Sequence, residues 1–154
     1  MLEKNFFYLL LLFVSFSSCS DRKDIVFYYK FPDQTWSRFD LLHFEIPVEA
    51  SENNYDVFLF VHHTKEFEFE KLLFNMKMTT PSGEEISKKY QMAIRNKAGA
   101  FIGQINNDSC EVSVSLKQGL KLTKGKLIFD LENLVPRLQT KGLLGIGVKL
   151  HPVR

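Results

Sequence analysis

The sequence predicts an all-β protein, an antiparallel β-sandwich of jelly-roll or immunoglobulin-like connectivity, and three observations carry that prediction. Apolar and polar residues alternate with a period of two in run after run, the mark of strands with one face on a core and one in water. Turn signals separate the runs at regular spacing, for roughly eight short strands. Helical periodicity is found at Leu131, Leu134, Val135 and Leu138, where Pro136 falls too late for a tolerated first turn. At most one short helix is therefore predicted near 130–138.

The chain opens with an uncharged apolar run, Phe6 to Phe16, behind Lys4 and the terminal amine, and the run ends in Ser17, Ser18 and Cys19. Crossing a bilayer takes roughly 20 apolar residues, so residues 1–18 read as a signal peptide and not as a permanent span. Small residues just before a cysteine resemble the lipobox of bacterial lipoproteins, in which the thiol is diacylated and becomes the new N-terminus. Phe16 stands where Leu is usual. Cys19 is thus the expected lipidation site, residues 19–24 the lipidated cysteine and a short tether, and residues 25–154 a single sandwich domain. At about 3.4 Å per residue the tether reaches under roughly 20 Å, which keeps the domain almost against its membrane.

The strands follow in order. Ile25 to Tyr29 reads as the first, and Leu42, Phe44, Ile46 and Val48 alternate with His43, Glu45 and Pro47 in a second. Tyr55 to Val61 is apolar on both faces, which predicts a central strand covered on both sides. Leu72, Phe74, Met76 and Met78 form the next apolar face, and Pro81-Ser82-Gly83 turns the chain as a hairpin into Glu85 to Met92. The alternation is cleanest from Cys110 to Leu116 and recurs at Leu144, Ile146, Val148 and Leu150.

Composition removes several classes of function. Glu3 and Lys4 cancel, so loss of the leader leaves the formal charge at +2, spread along the chain, and no basic stripe points to nucleic acid. With Cys19 acylated, Cys110 is the one thiol left, and it lies on the apolar side of its strand as a buried structural residue. His62 and His63 are neighbours on a strand and point to opposite faces, so they cannot share a metal. His43 and His151 stand apart. Glu66, Glu68 and Glu70 could present three carboxylates along one strand face, the raw material of glycosidic acid–base chemistry, but a small sandwich lacks the deep cleft this needs. A solvated face or loop is the plainer reading, and Asn106-Asn107-Asp108-Ser109 is likewise a plain turn before it is a calcium loop. No phosphate-cradling loop, nucleophile elbow or metal cluster is present, so no enzyme, cofactor or metal is predicted. Phe at inward positions is core material, which leaves Tyr28, Tyr29 and Trp36 as the candidate glycan contacts.

Several patterns in order resemble the gliding-motility lipoprotein family of the Bacteroidota, the GldH type. They are the lipobox at Cys19, Trp36 followed by Leu42-His43-Phe44-Glu45-Ile46-Pro47-Val48, Asn54-Tyr55-Asp56-Val57-Phe58-Leu59, and the turn at Pro81-Ser82-Gly83. Tyr90-Gln91-Met92-Ala93, Gly99-Ala100-Phe101-Ile102-Gly103, Leu131-Glu132-Asn133-Leu134 and Leu144-Gly145-Ile146-Gly147-Val148-Lys149-Leu150 complete them. Two departures stand out: Ile94-Arg95 where the family pattern has an acidic residue, and Phe101-Ile102-Gly103 where it has Trp-Leu-Gly. The resemblance implies an outer-membrane lipoprotein that supports gliding and the linked protein-secretion apparatus, without enzymatic activity and with other envelope proteins as partners. Of functional positions it transfers only Cys19. The balanced Asp21-Arg22-Lys23-Asp24 favours the periplasmic face, since surface-export signals in this phylum are acidic after the cysteine. A surface lipoprotein that binds glycan through exposed aromatics is the alternative expectation, and a lipid-anchored hydrolase using the glutamate row a third.

Overall fold

The computed structural model describes residues 23–153 as eleven strands in antiparallel pairing, with no helix among them. In chain order they are β1 Ile25–Lys30, β2 Thr35–Ser37, β3 Leu42–Val48, β4 Asn54–Thr64, β5 Lys71–Thr79, β6 Glu85–Ala93, β7 Gln104–Asn106, β8 Ser109–Lys121, β9 Gly125–Asn133, β10 Gln139–Lys141 and β11 Leu143–Val153. They form a five-stranded sheet, β1-β11-β4-β8-β7, a four-stranded sheet, β3-β9-β5-β6, and a two-stranded ladder, β10-β2. Setting aside the three-residue strands β2, β7 and β10, the eight long strands numbered in order pair as 1-8-3-6 and 2-7-4-5. That is jelly-roll order, one of the two connectivities the sequence allows.

Period-2 patterning builds the layers. β3 alternates buried and exposed without interruption, and β5 alternates buried and half-buried after Lys71, so one face of each is dry. The inward faces meet in a single core where Leu59, Val61, Phe74, Met76, Phe129, Leu131 and Val148 have no exposure at all. Burial of each such side chain stabilises the fold by about 1.5–3 kcal/mol, which is why the alternation dictates the architecture. Pro47 sits on β3, an edge of the four-stranded sheet, where its missing N–H breaks no ladder.

One sequence expectation is corrected and two are narrowed. β4 is central in its sheet, but the second layer covers one face alone, that of Tyr55, Val57, Leu59 and Val61; on the opposite face no layer packs, and Phe60 there is 7% exposed because Tyr28 stacks on it with parallel rings 5.9 Å apart. The 131–138 spacing forms no helical turn: Leu131 to Asn133 closes β9, Asn133 Oδ1 accepts the Val135 N–H at 2.9 Å, and Pro136 turns the chain. Glu66, Glu68 and Glu70 lie in the loop between β4 and β5, so no strand aligns their carboxylates.

The registers Ile25↔Leu150 and Val57↔Leu150 place the start of β1 at one end of the sandwich, with the loops 49–53, 80–84 and 122–124. Asp24 is tied there by His151, Nδ1 to Oδ1 at 2.7 Å. The segments 31–41, 65–70, 94–103 and 134–138 gather at the far end.

Candidate functional site

β1 carries the chain to that far end, and two turns there arrange the side chains. Pro32 and Asp33 form the first, closed by the Gln34 N–H donating to Phe31 O at 3.2 Å, with Gln34 at φ 50°. Thr35 Oγ1 donates to Asp33 O at 2.9 Å and opens β2. In the second turn Asp40 N–H donates to Ser37 O at 3.2 Å and the Trp36 indole N–H to Asp40 O at 2.9 Å. Trp36 is thereby sealed, stacked on Phe31 and 1% exposed. The residues beyond it have no core to enter, and Phe39 is 82% exposed and Leu41 61%. Leu138, at 69%, is held beside them because Arg38 N–H donates to Leu138 O at 2.9 Å.

Asn133 locks this arrangement and went unrecognised in the sequence. Its Nδ2 donates to Trp36 O at 3.0 Å and to Thr140 Oγ1 at 2.9 Å, so one buried amide joins β9, β2 and β10. The available signal was local: an asparagine whose side chain bonds the backbone two residues on, just ahead of a proline, is a turn former.

Between the turns lies a hollow of about 650 Å³, floored by Phe31 and Trp36 and walled by Tyr29, Phe39 and Leu41. Asp33 and Asp40 also line it, both exposed, and the ion pairs among the described residues all lie elsewhere, so neither carboxylate is neutralised. His43 lines it too, but its Nδ1 is engaged with Asp130 Oδ1 at 2.7 Å. That bond first, and Glu45 second, holds the imidazole above its ordinary value. Across Phe39 a second depression is lined by Arg137, Leu138 and Lys141. An aromatic hollow with free carboxylates can hold an apolar group beside a cation; it pairs no nucleophile with a base.

The structure separates the residues nominated from the sequence. Cys19 lies outside the described residues. Trp36 cannot be an exposed glycan contact, because the β2–β10 ladder and Phe31 bury it. Tyr28 and Tyr29 are 40% and 39% exposed but point to opposite faces of β1: Tyr28 stacks on Phe60 outside, while Tyr29 packs on Phe31 and Phe44 within. No single platform holds all three.

The histidines are dispersed. His62 lies outside and bonds both Glu111 and the Tyr28 hydroxyl, whereas His63 is fully buried against Phe67 and Phe101. Among the described residues no three His, Cys, Asp or Glu side chains converge to hold a metal. Cys110 is buried and unpaired, opposite His63 in register. Arg95 and Phe101, the two departures from the family pattern, touch: the guanidinium lies 3.7 Å over the ring and also donates to Gly99 O and Phe67 O, both at 3.0 Å. The arginine clasps its own loop.

Comparison with known proteins adds a family. The family described as GldH lipoprotein matches residues 26–150. A curated relative, the gliding motility lipoprotein GldH of Flavobacterium johnsoniae, is 30% identical over 134 residues, a stretch that covers 86% of this chain and 82% of the relative.

Proposed function

The chain belongs to the GldH lipoprotein family, and from that premise we propose that it is a lipid-anchored, non-catalytic accessory of the gliding machinery and of the protein-secretion apparatus linked to it. The observation that carries this reading is the match over residues 26–150, which spans almost the whole sandwich.

Acylated Cys19 holds the domain on the periplasmic face of the outer membrane. Buried acyl chains contribute about 0.8 kcal/mol per CH₂, and two or more chains make a lasting anchor. The non-catalytic part rests on the family and on the hollow, which pairs no nucleophile with a base; the linked titratable groups, His43 with Asp130, Glu45 and Lys126, and His62 with Glu111 and Tyr28, lie on the outer faces of the two sheets.

Deleting the gene in a gliding host is expected to abolish spreading and reduce secretion, with both restored by the wild-type gene. A null strain that spreads and secretes normally would refute the reading. Cys19→Ala is expected to leave the membrane fraction, and its continued sedimentation with membranes would refute the anchor. Protection from protease in intact cells is the result expected of a periplasmic domain.

A further inference from the structure

We propose that the hollow between Tyr29, Trp36 and Phe39 is the docking site for an extended segment of a protein partner that presents an apolar side chain beside a lysine or arginine. This rests on the reading of the chain as a lipid-anchored envelope accessory and names the chemistry of what that accessory holds.

The apolar part follows from exposure. Phe39, Leu41 and Leu138 are among the most exposed large apolar side chains of the described domain, and they crowd one end. Contiguous apolar surface of this kind marks an interaction site, and aromatic residues around a preformed hollow are the usual anchors. The hollow is preformed: the Trp36–Asp40 bond and the Asn133 clasp hold both turns without a ligand, which lowers the ordering cost of binding.

The cationic part follows from charge. Asp33 and Asp40 flank the aromatic walls with no cation among the described residues paired to either, whereas His43 beside them is already engaged by Asp130. An apolar group alone would leave two carboxylates partly desolvated, and one carrying a lysine or arginine next to it would compensate them.

Placement favours a protein over the bilayer. β1 runs from the tether end to the hollow, a rise of about 20 Å at 3.3 Å per residue, so the hollow and the point where the chain leaves for Cys19 lie at opposite ends of the sandwich.

The full lipoprotein, reconstituted in phosphatidylcholine vesicles, supplies its own reporter, because Trp36 is the chain's single tryptophan and floors the hollow. A short lysine–phenylalanine–lysine peptide is expected to change Trp36 emission saturably, and its glutamate counterpart to leave it unchanged. Phe39→Ala, and Asp33→Asn combined with Asp40→Asn, are each expected to weaken the lysine peptide about tenfold. These positions are exposed, and unchanged Trp36 emission without peptide reports that the fold is retained. Equal response to both peptides, or to neither, overturns the proposal. So does an emission change on adding phosphatidylglycerol vesicles, which would assign the surface to lipid, or self-association that Phe39→Ala abolishes, which would assign it to a second copy. In a gliding host, Phe39→Ala with Asp40→Asn is expected to stop spreading at normal protein level. If the null strain fails to spread while this variant spreads fully, the docking site falls and the gliding reading stands; if the null strain itself spreads, the gliding reading falls and the peptide result still decides the site.

Discussion

Replacing Gly147 by alanine tests how the five-stranded sheet holds the strand nearest the anchor. Gly147 lies on the outer face of β11, paired with Tyr28 of β1 on one side and Phe60 of β4 on the other. A Cβ there would stand 2.3 Å from Phe60 Cζ and 2.5 Å from the Phe27 carbonyl oxygen, so both a ring and the β1 backbone would have to move. Its φ lies outside the left-handed range, so the obstacle is steric and not conformational. Overpacking of this kind costs about 1–3 kcal/mol, and displacing Phe60 also weakens its stack on Tyr28, worth about 0.5–1.5 kcal/mol. Restricting the unfolded chain returns about 0.5–1 kcal/mol. The net expectation is a loss of about 2 kcal/mol, or a thermal midpoint lower by about 8 °C for a domain of this size. Denaturant titration of purified wild type and Gly147→Ala measures it. Because β1 pairs with β11 alone among the described strands, faster amide exchange confined to β1 is the expected companion signal. A variant as stable as the wild type, or more so, refutes the steric account.

Two further outcomes follow from buried polar groups. Asn133→Ala strands the Val135 N–H in the interior, at about 1–3 kcal/mol, removes the amide donor that Trp36 O and Thr140 Oγ1 share, and is expected to shift Trp36 emission to the red as well as lower stability; unchanged emission and midpoint would remove Asn133 from its role as clasp. Burial holds the His63 imidazole below its ordinary 6.5, only partly offset by its bond to Thr64 O, with Arg95 and His62 as further opposing charges. The unfolded chain then binds the proton more readily, so His63 removes stability as pH falls below about 6.5 and stops doing so below its folded value. His63→Leu is expected to flatten that part of the pH–stability profile, and a profile unchanged by the substitution would refute the assignment.

The strands and their dry faces were legible because period-2 alternation is a local property. Leu42, Phe44, Ile46 and Val48 announce one dry face whatever lies above it, and the hairpin at Pro81-Ser82-Gly83 is written in its own turn residues. The aromatic hollow was not legible. Trp36 is buried because residues 35–37 pair with 139–141, a contact made across a hundred positions that no local pattern announces, and the same ladder sets Leu138 beside Phe39. The spacing of Leu131, Leu134, Val135 and Leu138 left room for at most one short helix, and Asn133, with its partners on β2 and β10, makes the segment a turn. Glycines at 145 and 147 likewise make sense only under the rings of Tyr28 and Phe60.

By itself, then, the sequence determined a sandwich of alternating strands, since alternation depends on hydrophobicity read over a few neighbouring residues. Which apolar side chains would be core and which would be left facing a partner was decided by tertiary structure alone. That choice depends on which distant strands meet, and exposure is a property of the assembled surface.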